Sequence, residues 1–123
     1  MIRAELCMSY VLFRFPGFTA QWQAHVAGAR DDGPRLGRSM AAFGDYVVSL
    51  VARDDQTALA AVGELLETLI ADGDEAVVEA TTVHLLENIS VQCGQDPVHR
   101  PLSRLAQHFG PESRARYVRI RGE

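Results

Sequence analysis

The sequence predicts an all-α protein, a compact array of six or seven antiparallel helices around one core, and three observations lead there. Apolar residues recur every three or four positions along most of the chain, the spacing that gathers them on one side of a helix. Asp, Gly and Pro punctuate these stripes where helices start and stop. The one segment that reads as a strand, Ser9 to Phe15, has no second strand to pair with. A chain of 123 residues suits a single helical domain over 1–123, because at this size about two-thirds of the unfolded surface is buried on folding and two separate cores would not fit.

The first element covers residues 2–15. Ile2, Leu6, Tyr10 and Phe13 fall at helical spacing, and Pro16 closes the run because it lacks an N–H and disfavours helix at the residue before it. Helix is the preferred reading, with an extended conformation open because Ser9 to Phe15 is rich in aromatic and branched residues. Phe18, Trp22, Val26 and Ala29 outline a short second helix. The third has the clearest stripe, Leu36, Met40, Phe43, Val47, Leu50 and Val51, and Asp32 or Gly33 can cap it with Pro34 near the first helical position.

In the fourth, Leu59, Val62, Leu66, Leu69 and Ile70 follow Asp54 or Asp55 as N-cap and stop at Gly73. The third and fourth helices should pack antiparallel. The fifth runs from Glu75 to Cys93 with Val78, Leu85, Leu86, Ile89 and Cys93 on one side; Asp74 caps it, Glu75 suits the positive helix end, and Gly94 terminates it. Val98, Leu102, Leu105, Ala106 and Phe109 outline a sixth, stopped by Gly110-Pro111, and Pro111 can open a last turn or two with Tyr117 and Val118.

A hydrophobic share of 47% against 23% charged residues is that of an ordinary globular protein. No apolar run approaches the ~20 residues that span a bilayer, and Arg3, Glu5 and Arg14 flank only a short apolar stretch at the start, so neither a membrane span nor a signal peptide is read. Cys7 and Cys93 form no CxxC pattern and are expected to be reduced and to behave as small apolar residues. The expected location is cytoplasmic.

Charge is informative by position. Residues 1–53 hold six Arg against four acids, a net of +2, and residues 97–123 hold six Arg against two acids, a net of +4. Residues 54–96 hold ten acids and no Arg or Lys, a net of −10. Such a field would steer a basic partner and raise its association rate. The competing reading is a solvated face folded back on Arg100, Arg104, Arg114, Arg116, Arg119 and Arg121. Direct nucleic-acid binding is not expected, since the basic tail interleaves only Tyr117 and the whole molecule would repel phosphate.

Catalytic patterns are absent from the sequence. His25, His84, His99 and His108 make no HExxH and have no CxxC to join, and the His84–Glu87 spacing occurs once where a two-helix metal site needs it twice. Gly28, Gly33 and Gly37 lie in no phosphate loop. Ser39, Ser49, Ser90, Ser103 and Ser113 have no nucleophile-elbow context. No enzyme activity, metal, cofactor or small-molecule substrate is expected.

A weak repeat sets Leu65-Leu66-Glu67 twenty residues before Leu85-Leu86-Glu87, with each glutamate at the edge of an apolar stripe. Two copies do not make a solenoid. Taken with Phe15-Pro16-Gly17-Phe18, Trp22, Phe43-Gly44-Asp45-Tyr46-Val47, Ala71-Asp72-Gly73-Asp74, Leu85-Leu86-Glu87-Asn88 and Gly110-Pro111-Glu112-Ser113-Arg114, the chain resembles a family of small bacterial helical proteins of unknown function. The resemblance covers nearly the whole chain, and the helix pair around Asp72-Gly73-Asp74 also resembles a HEAT-type repeat. Such families are often encoded beside secreted polymorphic toxins, which implies an immunity protein that neutralises a cognate protein toxin, and the acidic residues 54–96 lead to the expectation that this toxin is basic. The family supplies no catalytic residues to carry over. The expected partner-binding residues are Glu64, Glu67, Asp72, Asp74, Glu75, Glu79 and Glu87. The alternative is a helical adaptor or self-associating domain that uses Trp22, Phe43 and Tyr46.

Overall fold

Helix wins at the amino end, and the reason lies seventy residues away. The computed structural model describes residues 1–28 and 35–120. Asp74 accepts a hydrogen bond from the Ala4 N–H at 2.9 Å, which satisfies a donor that a new helix leaves open, and α1 follows as Ala4–Arg14. Only Ile2 is extended, in an isolated bridge to Gly73. Its N–H donates to the Asp72 carbonyl (2.7 Å) and its carbonyl accepts from the Asp74 N–H (2.8 Å).

These ties decide which way α1 rolls. Cys7, Met8, Val11 and the following Phe15 are buried, while Leu6 and Phe13, expected on the core side, are 59% and 82% exposed. α1 is apolar almost all round, so periodicity alone admits two stripes. The Ile2–Gly73 bridge and the Asp74 cap select the other one.

A 3-10 turn, Pro16–Phe18, leads into α2, Thr19–Ala27. The long helix α3, Leu36–Ala52, buries Met40, Phe43, Val47, Leu50 and Val51 as expected. It is preceded by extended Arg35 without a side-chain cap; Ala29 and the expected caps Asp32 and Gly33, with Pro34, lie outside the described residues. At its far end Asp54 takes φ 53°, a left-handed conformation that Asp tolerates better than most residues. Its N–H donates to Val51 (3.0 Å) and that of Asp55 to Leu50 (3.2 Å), the paired bonds of a Schellman ending. Asp55 then caps α4, Gln56–Asp72, by accepting from the Ala58 N–H at 3.1 Å. Adjacent aspartates thus divide the work, one ending a helix and the next starting its neighbour.

After Gly73, Asp74 caps α5 through the Val77 N–H (2.9 Å). α5 runs unbroken through Glu75–Glu79, Ala80–Leu86 and Glu87–Gln95, and the middle stretch is a π-helix. Its buried face is Val77, Thr81, Leu85, Ile89 and Cys93, one residue every four. An ideal α-helix would turn such a row through about 160° over four steps; the wider i→i+5 winding absorbs that drift. Val77 therefore faces the core where Val78 was expected, and the helix passes through Gly94 to Gln95.

Short turns fold α3 back on α4 and α4 back on α5, as helical hairpins. The most extensive packing, however, joins α3 to α5. Gly37 lies beneath the His84 ring and Gly44 beside the Asn88 amide, and a side chain at either would push that group aside. Asn88 Nδ2 donates to the Ala41 carbonyl (3.1 Å) and Gln92 Nε2 to Asp45 (2.6 Å). His84, Asn88 and Gln92, four apart, form a polar seam down that contact.

The carboxyl-terminal part covers α4. α6, Ser103–Ala106, is shorter than the apolar spacing suggests, and Val98 is 76% exposed. Pro101, which lacks the N–H for the bond to the residue four before it, breaks a helix begun at Pro97 or Val98. α7, Pro111–Ile120, opens on proline as expected. Among the described residues there are seven helices, no strand beyond the bridge, and one continuous hydrophobic cluster drawing on α1, α3, α4, α5 and α6. Phe18 meets Phe43 edge-on at 5.3 Å, Phe15 lies 5.4 Å from Phe43, and Tyr46 and Trp22 close over this group. Phe43, with Trp22 and Tyr46 packed against that group, belongs to the core, so it does not offer the face that self-association would need. No described helix is long and apolar enough to cross a membrane.

Candidate functional site

The ten carboxylates of residues 54–96 have different fates, and sorting them isolates a surface. Asp54 stands 3.7 Å from Arg104 Nε, and Asp55 is a helix cap. Glu64 pairs with Arg14 at 3.4 Å across the surface. Asp96 meets Arg100 at 3.6 Å and His99 at 3.1 Å. Asp72 lies 3.8 Å from the amino-terminal nitrogen. Exposed pairs of this kind contribute about 0–1 kcal/mol each, but they neutralise the local field.

Glu67 is used more fully. Burial opposes its ionisation but is outweighed by hydrogen bonds from the Glu112 N–H (3.0 Å), the Ser113 N–H (3.1 Å) and the Ser113 hydroxyl (3.1 Å), which hold the carboxyl below the usual glutamate range. It is the anionic cap of α7, supplied from α4 across the fold. Gly110 makes the approach possible, since a side chain there would overlap the Glu67 carboxylate.

Asp74 serves two helices at once. The Val77 N–H and then the Ala4 N–H keep its carboxyl below the usual aspartate range, with help from nearby Arg3. Both oxygens are committed. Asp74 and Glu67, expected to face a partner, are thereby structural carboxylates.

Three acids have no hydrogen-bond or ion-pair partner among the described residues, Glu75, Glu79 and Glu87, and all three are exposed on α5. Together with exposed Val83 (46%) and Val91 (55%) they occupy every fourth position from 75 to 91. The π stretch that straightens the buried row straightens this outer row too, producing an acid-acid-Val-acid-Val strip roughly 24 Å long. Glu67 and Glu87, which the repeat places at comparable positions, differ completely: one is tied to α7 and the other faces solvent. The sequence signal for the strip was its four-residue spacing, which a search at helical period 3.6 passes over.

Other chemistry is sparse. Cys7 and Cys93 are buried and free; desolvation, reinforced by the Asp74 charge, raises the Cys7 thiol to about 11, and desolvation raises Cys93 as well. Such thiols are poor nucleophiles. Among the described residues no three His, Cys, Asp or Glu side chains are grouped to hold a metal. His25 Nε2 lies 3.1 Å from the Ser39 hydroxyl, a pairing across 14 residues that no motif announces. Ser39 is in the first turn of α3, where its backbone N–H donates to the Arg35 carbonyl (2.9 Å) and cannot also serve an oxyanion.

A family model described as a domain of unknown function (DUF7674) matches residues 8–122. No curated protein and no solved structure matches the chain.

Proposed function

The chain belongs to the DUF7674 family, and from that premise we propose that it is an immunity protein, which binds and neutralises a cognate basic toxin through the outer face of α5. The observation that carries the reading is the fate of the acids. Seven of the ten carboxylates in residues 54–96 have a hydrogen-bond or ion-pair partner within the described fold, and the three without one share a single exposed strip with two exposed valines. Carboxylates around apolar contacts suit a basic protein surface, with the charges speeding encounter and the valines contributing burial. The reading is non-enzymatic, places the protein in a bacterial cytoplasm, and takes its toxin link from the sequence resemblance.

Co-expression with the product of the neighbouring gene tests it. The wild type should rescue growth and co-purify with that product, and lysine at Glu79 and Glu87 should abolish rescue while leaving the fold intact. Failure of the wild type to bind or protect would remove the reading.

A second reading, a self-associating or adaptor domain, is favoured by a different surface. Leu6 and Phe13 lie seven residues apart on the outer side of α1, and both are largely exposed. Light scattering at high concentration separates the two. A dimer abolished by serine at both positions would support the second reading, and a monomer would dismiss it.

A further inference from the structure

We infer that the cavity between α1, α2 and α3 is a binding site for an alkyl cation, a guanidinium or ammonium group carried on a short aliphatic stem. It lies apart from the outer face of α5 and does not depend on it. The cavity has a volume of about 270 Å³, just below the ~300–1,000 Å³ of pockets for drug-sized ligands, which suits a slender occupant.

Its lining divides by chemistry. Met8, Leu12 and Leu36 supply apolar wall, Trp22 supplies aromatic surface, Ser39 supplies a hydroxyl, and Glu5 is the acidic side chain among the described residues that line it. Glu5 is exposed whereas Ser39 is almost completely buried, so the carboxylate belongs to the rim and the hydroxyl to the floor. Ser39 Oγ is held by His25 Nε2 at 3.1 Å, and the His25 ring leans against Trp22 with centroids 5.7 Å apart. The hydroxyl and the indole are thus fixed relative to each other before anything binds.

Aromatic surface and a carboxylate lining one cavity both attract cations, and apolar walls accept the methylene stem that precedes a charged head. An anion would meet Glu5 with no cation among the described lining residues to offset it. A neutral polar molecule would gain the wall contacts without the electrostatic attraction. A guanidinium is favoured over other charged heads because it is planar, weakly hydrated and stacks on aromatic rings. Two sources share this chemistry, a free small molecule and an arginine side chain presented by another protein.

The chain has one tryptophan, and it borders the cavity, so its emission reports occupancy directly. Purified protein would be titrated with n-butylguanidinium, with its neutral counterpart N-butylurea, and with the capped peptide acetyl-Gly-Arg-Gly-amide, following Trp22 fluorescence and the indole N–H resonance in parallel. A saturable response to n-butylguanidinium, none to N-butylurea, and affinity about fivefold weaker in Glu5→Gln is the expected result. Binding of the peptide as well assigns the site to a protein side chain, and binding of the free cation alone assigns it to a small molecule. No saturable change in either signal, equal responses to cation and urea, or an unchanged affinity in Glu5→Gln would overturn the assignment. No toxin enters the experiment, so its failure is distinct from failure of the immunity reading.

Discussion

Asp74 holds two helices by their amino ends, one oxygen to Ala4 and the other to Val77, and this double duty makes a sharp prediction. Asparagine is as good an N-cap as aspartate where one acceptor suffices, so Asp55→Asn, which serves only Ala58, should leave the melting temperature nearly unchanged. Asp74→Asn keeps one acceptor and turns an amide N–H2 toward the second helix. It should lower the melting temperature clearly more than Asp55→Asn at neutral pH. The same residues set the acid response. Asp74 and Glu67 both titrate lower when folded, so the stability they contribute is complete above their unfolded values of about 4 and is lost as pH falls through the lower folded values. Thermal melts from pH 7 to pH 2 should show that acid loss in the wild type and a shallower one in Asp74→Asn; an identical slope would mean the caps are not coupled to ionisation. The cap of α5 was readable at Asp74 because it directly precedes the helix. The caps across 70 residues to Ala4 and 45 to Glu112 were not, because sequence spacing carries no information about which distant helix ends meet.

Helix α5 owes its straight faces to the π stretch Ala80–Leu86, which amounts to one residue more than the α-helix needs. Removing Val83, which is exposed, should therefore convert the stretch to α-helix, preserve the facing of residues on both sides, and leave unfolding cooperative. Removing Glu64 from the regular helix α4 should rotate every later core residue by about 100° and abolish cooperative melting. Circular dichroism melts of the two deletions decide this, and comparable damage in both would contradict it. Two glycines give a matching contrast. Gly63→Ala should destabilise by about 1–3 kcal/mol despite alanine's better helix propensity, because the new methyl meets the His108 carbonyl. Gly94→Ala has open space around it and should stabilise by about 0.5–1 kcal/mol; urea titrations would measure both. At this scale the helices were legible from their stripes, and the face of α1 was not. Apolar residues surround that helix, and the choice between Leu6 and Cys7 is made by contacts with Gly73 and Asp74.

Over the whole molecule, the charge segregation of the sequence is partly dissolved by folding. Arg14 reaches Glu64, Arg104 reaches Asp54 and Arg100 reaches Asp96, so arginines from both ends return to the acidic middle. The seven residues expected from sequence to face a partner separate accordingly. Glu67 and Asp74 hold helices, Glu64 and Asp72 have local counter-charges, and Glu75, Glu79 and Glu87 stay open on α5. Charge counting located the region, but only the paths of the helices separate a capping carboxylate from a free one. The central claim is that these three glutamates form the face that meets the partner. Its most direct test is the affinity of the neighbouring gene's product for the wild type and for the triple variant Glu75→Gln, Glu79→Gln, Glu87→Gln, measured across a salt series. The account predicts at least about tenfold weaker binding in the triple variant and a reduced salt dependence, with the melting temperature lowered by only a few degrees through loss of the Glu75 charge at the helix start. Equal affinity and an equal salt slope for the two proteins would contradict it.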